Sequence, residues 1–384
     1  MTVHSSSLDN AALELSRAAG VLATAASERR SSWLKLEPLS DSSSLNAGFK
    51  QLPAFDQPTS DVAAQMDAVV STLVTTADAL RLIEGYISYL ERLGNQSLMV
   101  SVMLRYLGNL GALLDFMCAR EISALCTAIS PPPLKYLASF SDLPAAAIHE
   151  YHLLHAPPEI QQLARDNPDM QILEAGDGSL VAAFGDIDSA ATITTIVAGV
   201  GSSDTEQWPA HMGRARNIQA ATGGATMMWL GYAAPPTLAH GLARAPARAA
   251  ADRLEEFQNS LRQRNPSQRQ VVMGYSYGST VVGTAGKSLQ ADALVLVGSP
   301  GAGTGVSHAS ELGSEVYAIT GTADPIGFAA TRYDGIHGID PTSPTFGATV
   351  FPSSSDHSGY WGDEAFLGQL REVVQGVDIK KPPP

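Results

Sequence analysis

At the heart of the chain's second half stands Gly274-Tyr275-Ser276-Tyr277-Gly278. It is entered from Arg269-Gln-Val-Val-Met273, a short β-branched run of the kind that forms a buried strand. It is left through Ser279-Thr-Val-Val-Gly283, whose residues are small and fit a helix. With 34 glycines in 384 residues, the bare spacing G-x-S-x-G can arise by chance, so the flanks decide its meaning. Between a strand and a helix, this spacing makes a sharp, strained turn that lifts the serine hydroxyl above the sheet, a nucleophile elbow. Glycines two residues either side leave no Cβ where strand and helix converge. Ser276 is the candidate nucleophile, with Gly274 and Gly278 as elbow glycines.

A serine nucleophile needs a base, and the base needs an acid to orient it. Ala293-Leu-Val-Leu-Val-Gly298 and Glu315-Val-Tyr-Ala-Ile-Thr320 read as two further buried strands. The second runs into Gly321-Thr-Ala-Asp324-Pro325. An aspartate just past a strand's C-terminal end sits on the same rim of a parallel sheet as the elbow. After a short strand, Ala348-Thr-Val-Phe351, the loop Pro352-Ser-Ser-Ser-Asp356-His357-Ser358-Gly359-Tyr360 carries the candidate base, His357. His337, between glycines before that last strand, is its rival and otherwise a pocket residue. Asp356 is a poor orienter, because adjacent side chains on an extended loop diverge.

Thr192-Ile-Thr-Thr-Ile-Val197 reads as a strand, followed by Ala198-Gly199-Val200-Gly201-Ser202-Ser203-Asp204. Backbone N–H groups of Val200 or Gly201, together with that of Tyr277 after the nucleophile, are the expected oxyanion donors. The loop lacks the third glycine of a dinucleotide fingerprint and the G-K-[ST] of a phosphate loop.

Residues 143–360 resemble an actinobacterial family of α/β-hydrolase-fold proteins catalogued as a domain of unknown function. The matching pieces are Gly185-Asp-Ile-Asp188, the Gly199-Val-Gly201 loop, Trp229-Leu-Gly-Tyr232-Ala-Ala-Pro235 and Gly274-Tyr-Ser276-Tyr-Gly278-Ser279. Gly298-Ser-Pro-Gly301, Asp324-Pro325, His337-Gly-Ile-Asp340-Pro341 with Phe346-Gly347, and His357-Ser-Gly-Tyr360 complete them. The family usually has His where Tyr275 stands and Asp where Ala233 stands. The resemblance implies a Ser276–Asp324–His357 hydrolase, with Tyr275, Tyr232 and His337 near a pocket. The expected activity is hydrolysis of a carboxylic ester, esterase- or lipase-like, through an acyl-enzyme, on a small-molecule or lipid ester. Two alternatives stay open: an idle hydrolase fold serving as an interaction module, and an acyltransferase using the same triad. No cofactor and no metal are implied.

The expected fold class is α/β, an α/β-hydrolase fold with a mostly parallel central sheet plus an N-terminal all-α helical region. The break is expected at 167/168, giving a helical region 1–167 and a hydrolase domain 168–384. Strands and helices alternate after the break, starting from a hairpin, Met170–Glu174 and Ser179–Phe184, around Gly176-Asp177-Gly178. Before it, helices are expected over 8–30, from Ser60 to Gly94-Asn95, and over 97–129 up to Pro131-Pro-Pro133, with a polar linker over 36–57. The 97–129 segment is apolar on nearly every side. It is expected to be a central helix, covered by its neighbours, by the hydrolase region or by a second copy in a homo-oligomer.

At a net charge of −14, nucleic-acid binding is disfavoured. Cys118 and Cys126, eight residues apart on one helix, would lie about 12 Å apart, too far for a disulfide. Reduced thiols, and an N-terminus without a basic or apolar leader, fit a cytoplasmic protein. Arg105, Asp115 and Arg120 interrupt the most apolar helix, so no transmembrane segment is expected.

Overall fold

Strands form where β-branched runs can be buried on both faces, and the longest such runs build one sheet. The computed structural model describes residues 4–36, 43–93, 98–127, 134–140, 143–176, 178–237, 240–328 and 337–377. The expected features at Gly94-Asn95, Pro131–Pro133 and Asp177 lie outside them. By its contacts the chain forms two units, Met1–Pro133 and Leu134–Pro384.

The second unit carries an eight-stranded sheet. Its strands are β1 (Met170–Gly176), β2 (Ser179–Phe184), β3 (Thr192–Val197), β4 (Ala225–Leu230), β5 (Arg269–Tyr275), β6 (Ala293–Val297), β7 (Glu315–Ile319) and β8 (Thr349–Val350). Their spatial order is β1-β2-β4-β3-β5-β6-β7-β8. β2 pairs antiparallel with β1 and β4, and the remaining pairings are parallel. Side chains alternate across the central strand. Val271, Met273 and Tyr275 share a buried cluster with Trp208 and Met212 of α6 (Trp208–Thr222) and with Phe366 and Leu370 of α9 (Glu364–Gln375). On the opposite face Gly274 abuts Ser279 of α8 (Tyr277–Ala285), which packs beside α7 (Ala245–Arg264).

The division falls after Pro133, not at 167/168. α4 (Ala145–His155) and α5 (Pro158–Asp166) belong to the sheet unit because they pack on β1. His149 Nδ1 accepts the Ile172 N–H at 3.0 Å, and His152 Nε2 bonds the Leu173 carbonyl at 3.1 Å. An edge strand carries unpaired backbone groups, and these two histidines satisfy one donor and one acceptor. Burial holds His152 down to about 4, so its ring is the neutral N–H donor this contact needs.

The first unit contains α1 (Ser5–Leu36), α2 (Ser43–Leu93) and α3 (Leu98–Leu125). Leu8 and Ala12 of α1 meet Val69, Leu73, Ala77 and Leu80 of α2 and Cys118 of α3, following the helical period. Both cysteines are free thiols. Two expectations fail here. The linker expected over 36–57 is partly helix, since α2 runs through positions 53 and 58, both prolines. Each proline removes one intrahelical donor, yet the helix continues through both, and four residues before the first of them Phe49 of α2 meets Trp33 of α1 edge-on at 6.1 Å. The expected central helix, α3, buries only Gly111, Leu113 and Cys118. By length and composition α3 is also apolar enough to cross a membrane, because one 18-residue window holds no more than two charges.

Candidate active site

The elbow follows from local sterics. Ser276 has φ 54° and ψ −127°, and among the described residues it is the one non-glycine with positive φ. Such a backbone costs about 1–3 kcal/mol and persists only where the surroundings enforce it. Here the neighbouring strand β6 pins it: Ser276 N–H bonds the Val297 carbonyl at 2.9 Å. A Cβ on Gly278 would strike the Val197 carbonyl oxygen, and one on Gly274 would strike Ser279 Cα. Strand, serine and helix can therefore meet only with glycine at both positions.

Ser276 Oγ lies 3.0 Å from His357 Nε2. His357 Nδ1 faces the Asp324 carboxylate, 2.9 Å from Oδ2 and 3.1 Å from Oδ1. Asp324 follows β7 and His357 follows β8, so the three groups come from the turns that end β5, β7 and β8, on one rim of the sheet. The Asp324 side chain is fully buried, whereas that of His357 is 29% exposed. This geometry suits an acid that stays fixed and a base that reaches an incoming substrate. Asp324 also accepts the Ile326 N–H at 2.9 Å and the Tyr360 hydroxyl at 2.6 Å, and that hydroxyl in turn accepts the Gly321 N–H at 2.9 Å. Burial first, then donation to the carboxylate, holds the Tyr360 phenol above its ordinary value. The ordering role of Tyr360 escapes a reading of the motif. Its one sequence signal is the spacing from His357, which returns the ring to the Asp324 side of the turn.

The strand order with antiparallel β2, the acid after β7 and the histidine after β8, arranged around a strand-serine-helix elbow, decides the fold. This is the α/β-hydrolase fold. A model of the alpha/beta hydrolase family matches residues 174–332, a stretch that holds Ser276 and Asp324 and ends before His357. No curated protein matches the chain in sequence. Solved structures with some likeness include an esterase of the archaeon Pyrobaculum calidifontis, at 12% identity over 53% of this chain and 82% of that one, TM-score 0.37. Others are a carboxylesterase of Mesorhizobium loti (15%, 54% and 99%, TM-score 0.36) and carboxyl esterase 2 of the fungus Tuber melanosporum (10%, 57% and 100%, TM-score 0.35).

Of the expected oxyanion donors, Gly201 is already committed. Its N–H bonds the Pro235 carbonyl at 2.8 Å, because the 198–204 loop is tied to the 232–235 segment. Ser203 Oγ accepts the Ala234 N–H at 2.8 Å in the same tie. Among the described residues the N–H groups of Val200 and Tyr277 have no partner. The Val200 loop approaches the serine closely, since a Cβ on Gly199 would stand 2.8 Å from Ser276 Cβ. Tyr277 opens α8, so the partial positive end of that helix points the same way.

The remaining sequence candidates sit behind the site. Tyr232 is buried and stacks on Trp229, and its hydroxyl donates to the Ala198 carbonyl at 2.7 Å, bracing the Val200 loop. His337 is buried edge-on against Tyr277. Burial lowers its imidazole below the ordinary value, and it has no bond to Ser276. Asp356 caps its own turn by accepting the Ser358 N–H, away from His357 Nδ1.

Proposed function

We propose that this chain is a serine hydrolase of carboxylic esters working through an acyl-enzyme on Ser276. The observation that carries the proposal is the hydrogen-bonded chain Ser276 Oγ–His357 Nε2, His357 Nδ1–Asp324, set beside two uncommitted backbone donors. As Oγ attacks the ester carbonyl, His357 Nε2 takes its proton, and Asp324 stabilises the imidazolium. The carbonyl oxygen becomes an oxyanion that Val200 and Tyr277 N–H can meet; one such donor is worth about 10²–10³ in rate. Collapse breaks the ester C–O bond, and His357 returns the proton to the departing alcohol. Water then gives a proton to His357, attacks the acyl carbonyl and releases the acid, and Ser276 recovers its proton.

The test uses activated esters of graded chain length and a fluorophosphonate probe. Ser276→Ala should lower kcat by about 10⁶ and end probe labelling. Ester turnover that survives this substitution would exclude the mechanism.

A further inference from the structure

His357 stands on a serine-rich loop, yet its imidazole must hold within a few tenths of an ångström of Ser276 Oγ. Its main chain must therefore be held as well as its ring. Asp324 orients the ring, but among the described residues one side chain bonds the His357 carbonyl: the Tyr275 hydroxyl donates to it at 2.6 Å. The Tyr275 ring also stacks on the imidazole, with centroids 5.1 Å apart and planes 29° apart. Tyr275 precedes Ser276 directly, so one dipeptide on the elbow grips His357 at both ends. Ser276 meets the Nε2 tip, and Tyr275 meets the ring face and the backbone oxygen.

The grip is itself braced. The edge of Trp361 meets the Tyr275 ring at 5.0 Å, and the Arg214 guanidinium lies over both rings, at 5.6 Å from Tyr275 and 5.1 Å from Trp361. Tyr275 is 8% exposed, and burial pushes its phenol up to about 12, so the hydroxyl stays a donor at any working pH. A side chain that only filled the core would need neither the hydroxyl nor its bond to a residue 82 positions away.

Building on the ester-hydrolase reading above, we propose that Tyr275 is the positioning residue that locks His357 over Ser276 through its hydroxyl and ring. Acylation and deacylation both pass through His357, so the lock acts on kcat whichever step limits. The full-length protein should be assayed as Tyr275→Phe, Tyr275→Leu and Ser276→Ala, with melting temperatures taken in parallel. Tyr275→Phe keeps the stacking and loses one hydrogen bond. It should lower kcat roughly 3- to 10-fold at unchanged KM and nearly unchanged melting temperature, the range that one neutral hydrogen bond spans. Tyr275→Leu, which loses the stacking too, should fall further. A Phe variant within twofold of wild-type kcat, while Ser276→Ala is inactive, would overturn the lock alone. A Phe variant that raises KM at unchanged kcat would make Tyr275 a pocket wall and also overturn it. Activity surviving in Ser276→Ala would overturn both the lock and the ester-hydrolase reading.

Discussion

The two units of this chain treat apolar surface in opposite ways. In the sheet unit β6 is buried at every position, and Val271, Val272 and Met273 of β5 are fully out of water. In the helical unit Leu82, Tyr86, Leu98 and Met99 are each more than 60% exposed. The difference lies in how each element finds its cover. A strand's hydrogen bonds fix its neighbours, so a buried-strand pattern already implies a strand on each side and helices above and below. A helix satisfies its own backbone, and an apolar helix calls for cover without saying what supplies it. Chemistry concentrates in the first kind of region, where a strained residue such as Ser276 can be enforced by rigid surroundings.

The largest effect that would break this comparison concerns the two loop histidines of the sheet unit. His357→Ala should cost kcat about as much as Ser276→Ala, around 10⁶, because the triad acts as a unit. His337→Ala removes a buried ring that touches Tyr277 and should act mainly on stability. Kinetics on both variants at matched folded fraction decide it. An inactive His337→Ala beside an active His357→Ala would move the base to His337.

The same contrast governs how legible each region was. The core of β5 reads directly from the β-branched run Arg269–Met273, which the strand extends to Tyr275, and the Asp324 and His357 positions read from the polar turns that end β7 and β8. Gly201 misled because a backbone N–H carries no side-chain signature, and its commitment to Pro235 depends on a loop more than 30 residues away. The boundary misled because α4 reads as one more helix, while its attachment to the sheet rests on His149 and His152 bonding the β1 backbone. Helix α2 continues where prolines argued for a linker, a continuation that the local sequence signal did not carry.

A middle-sized effect tests the rim of the sheet unit. Glu174 on β1 is 4% exposed, and burial pushes its carboxyl up to about 7. The Leu137 N–H at 2.8 Å and Arg253 at 3.3 Å oppose that shift. Arg253 cannot overcome it, because it also serves Glu256 and lies over the Tyr136 ring. The folded state thus holds a proton that the unfolded state has released. The resulting stabilisation is fully present below the unfolded value, about 4.5, and is lost as pH rises through about 7, a swing on the order of 3 kcal/mol. Glu174→Gln is neutral at every pH and should flatten this fall in melting temperature between pH 5 and 8. An unchanged slope in the variant would show that the carboxylate is ionised in the folded protein, paired with Arg253.

The smallest expected effect bears on the helical unit directly. Leu98 and Leu113 lie on the same helix, α3, but Leu98 is 79% exposed and Leu113 is 3% exposed. The same truncation should therefore give different answers. Leu113→Ala opens a cavity at a buried position and should cost about 2–5 kcal/mol. Leu98→Ala removes a side chain that already faces water and should change stability by less than about 0.5 kcal/mol. Thermal melts followed by far-ultraviolet circular dichroism compare the two in one protein. If Leu98→Ala costs as much as Leu113→Ala, the start of α3 is covered in solution, and the contrast between the two units dissolves. If Leu98→Ala changes nothing, that end of the helix faces water, and the contrast between the two units stands.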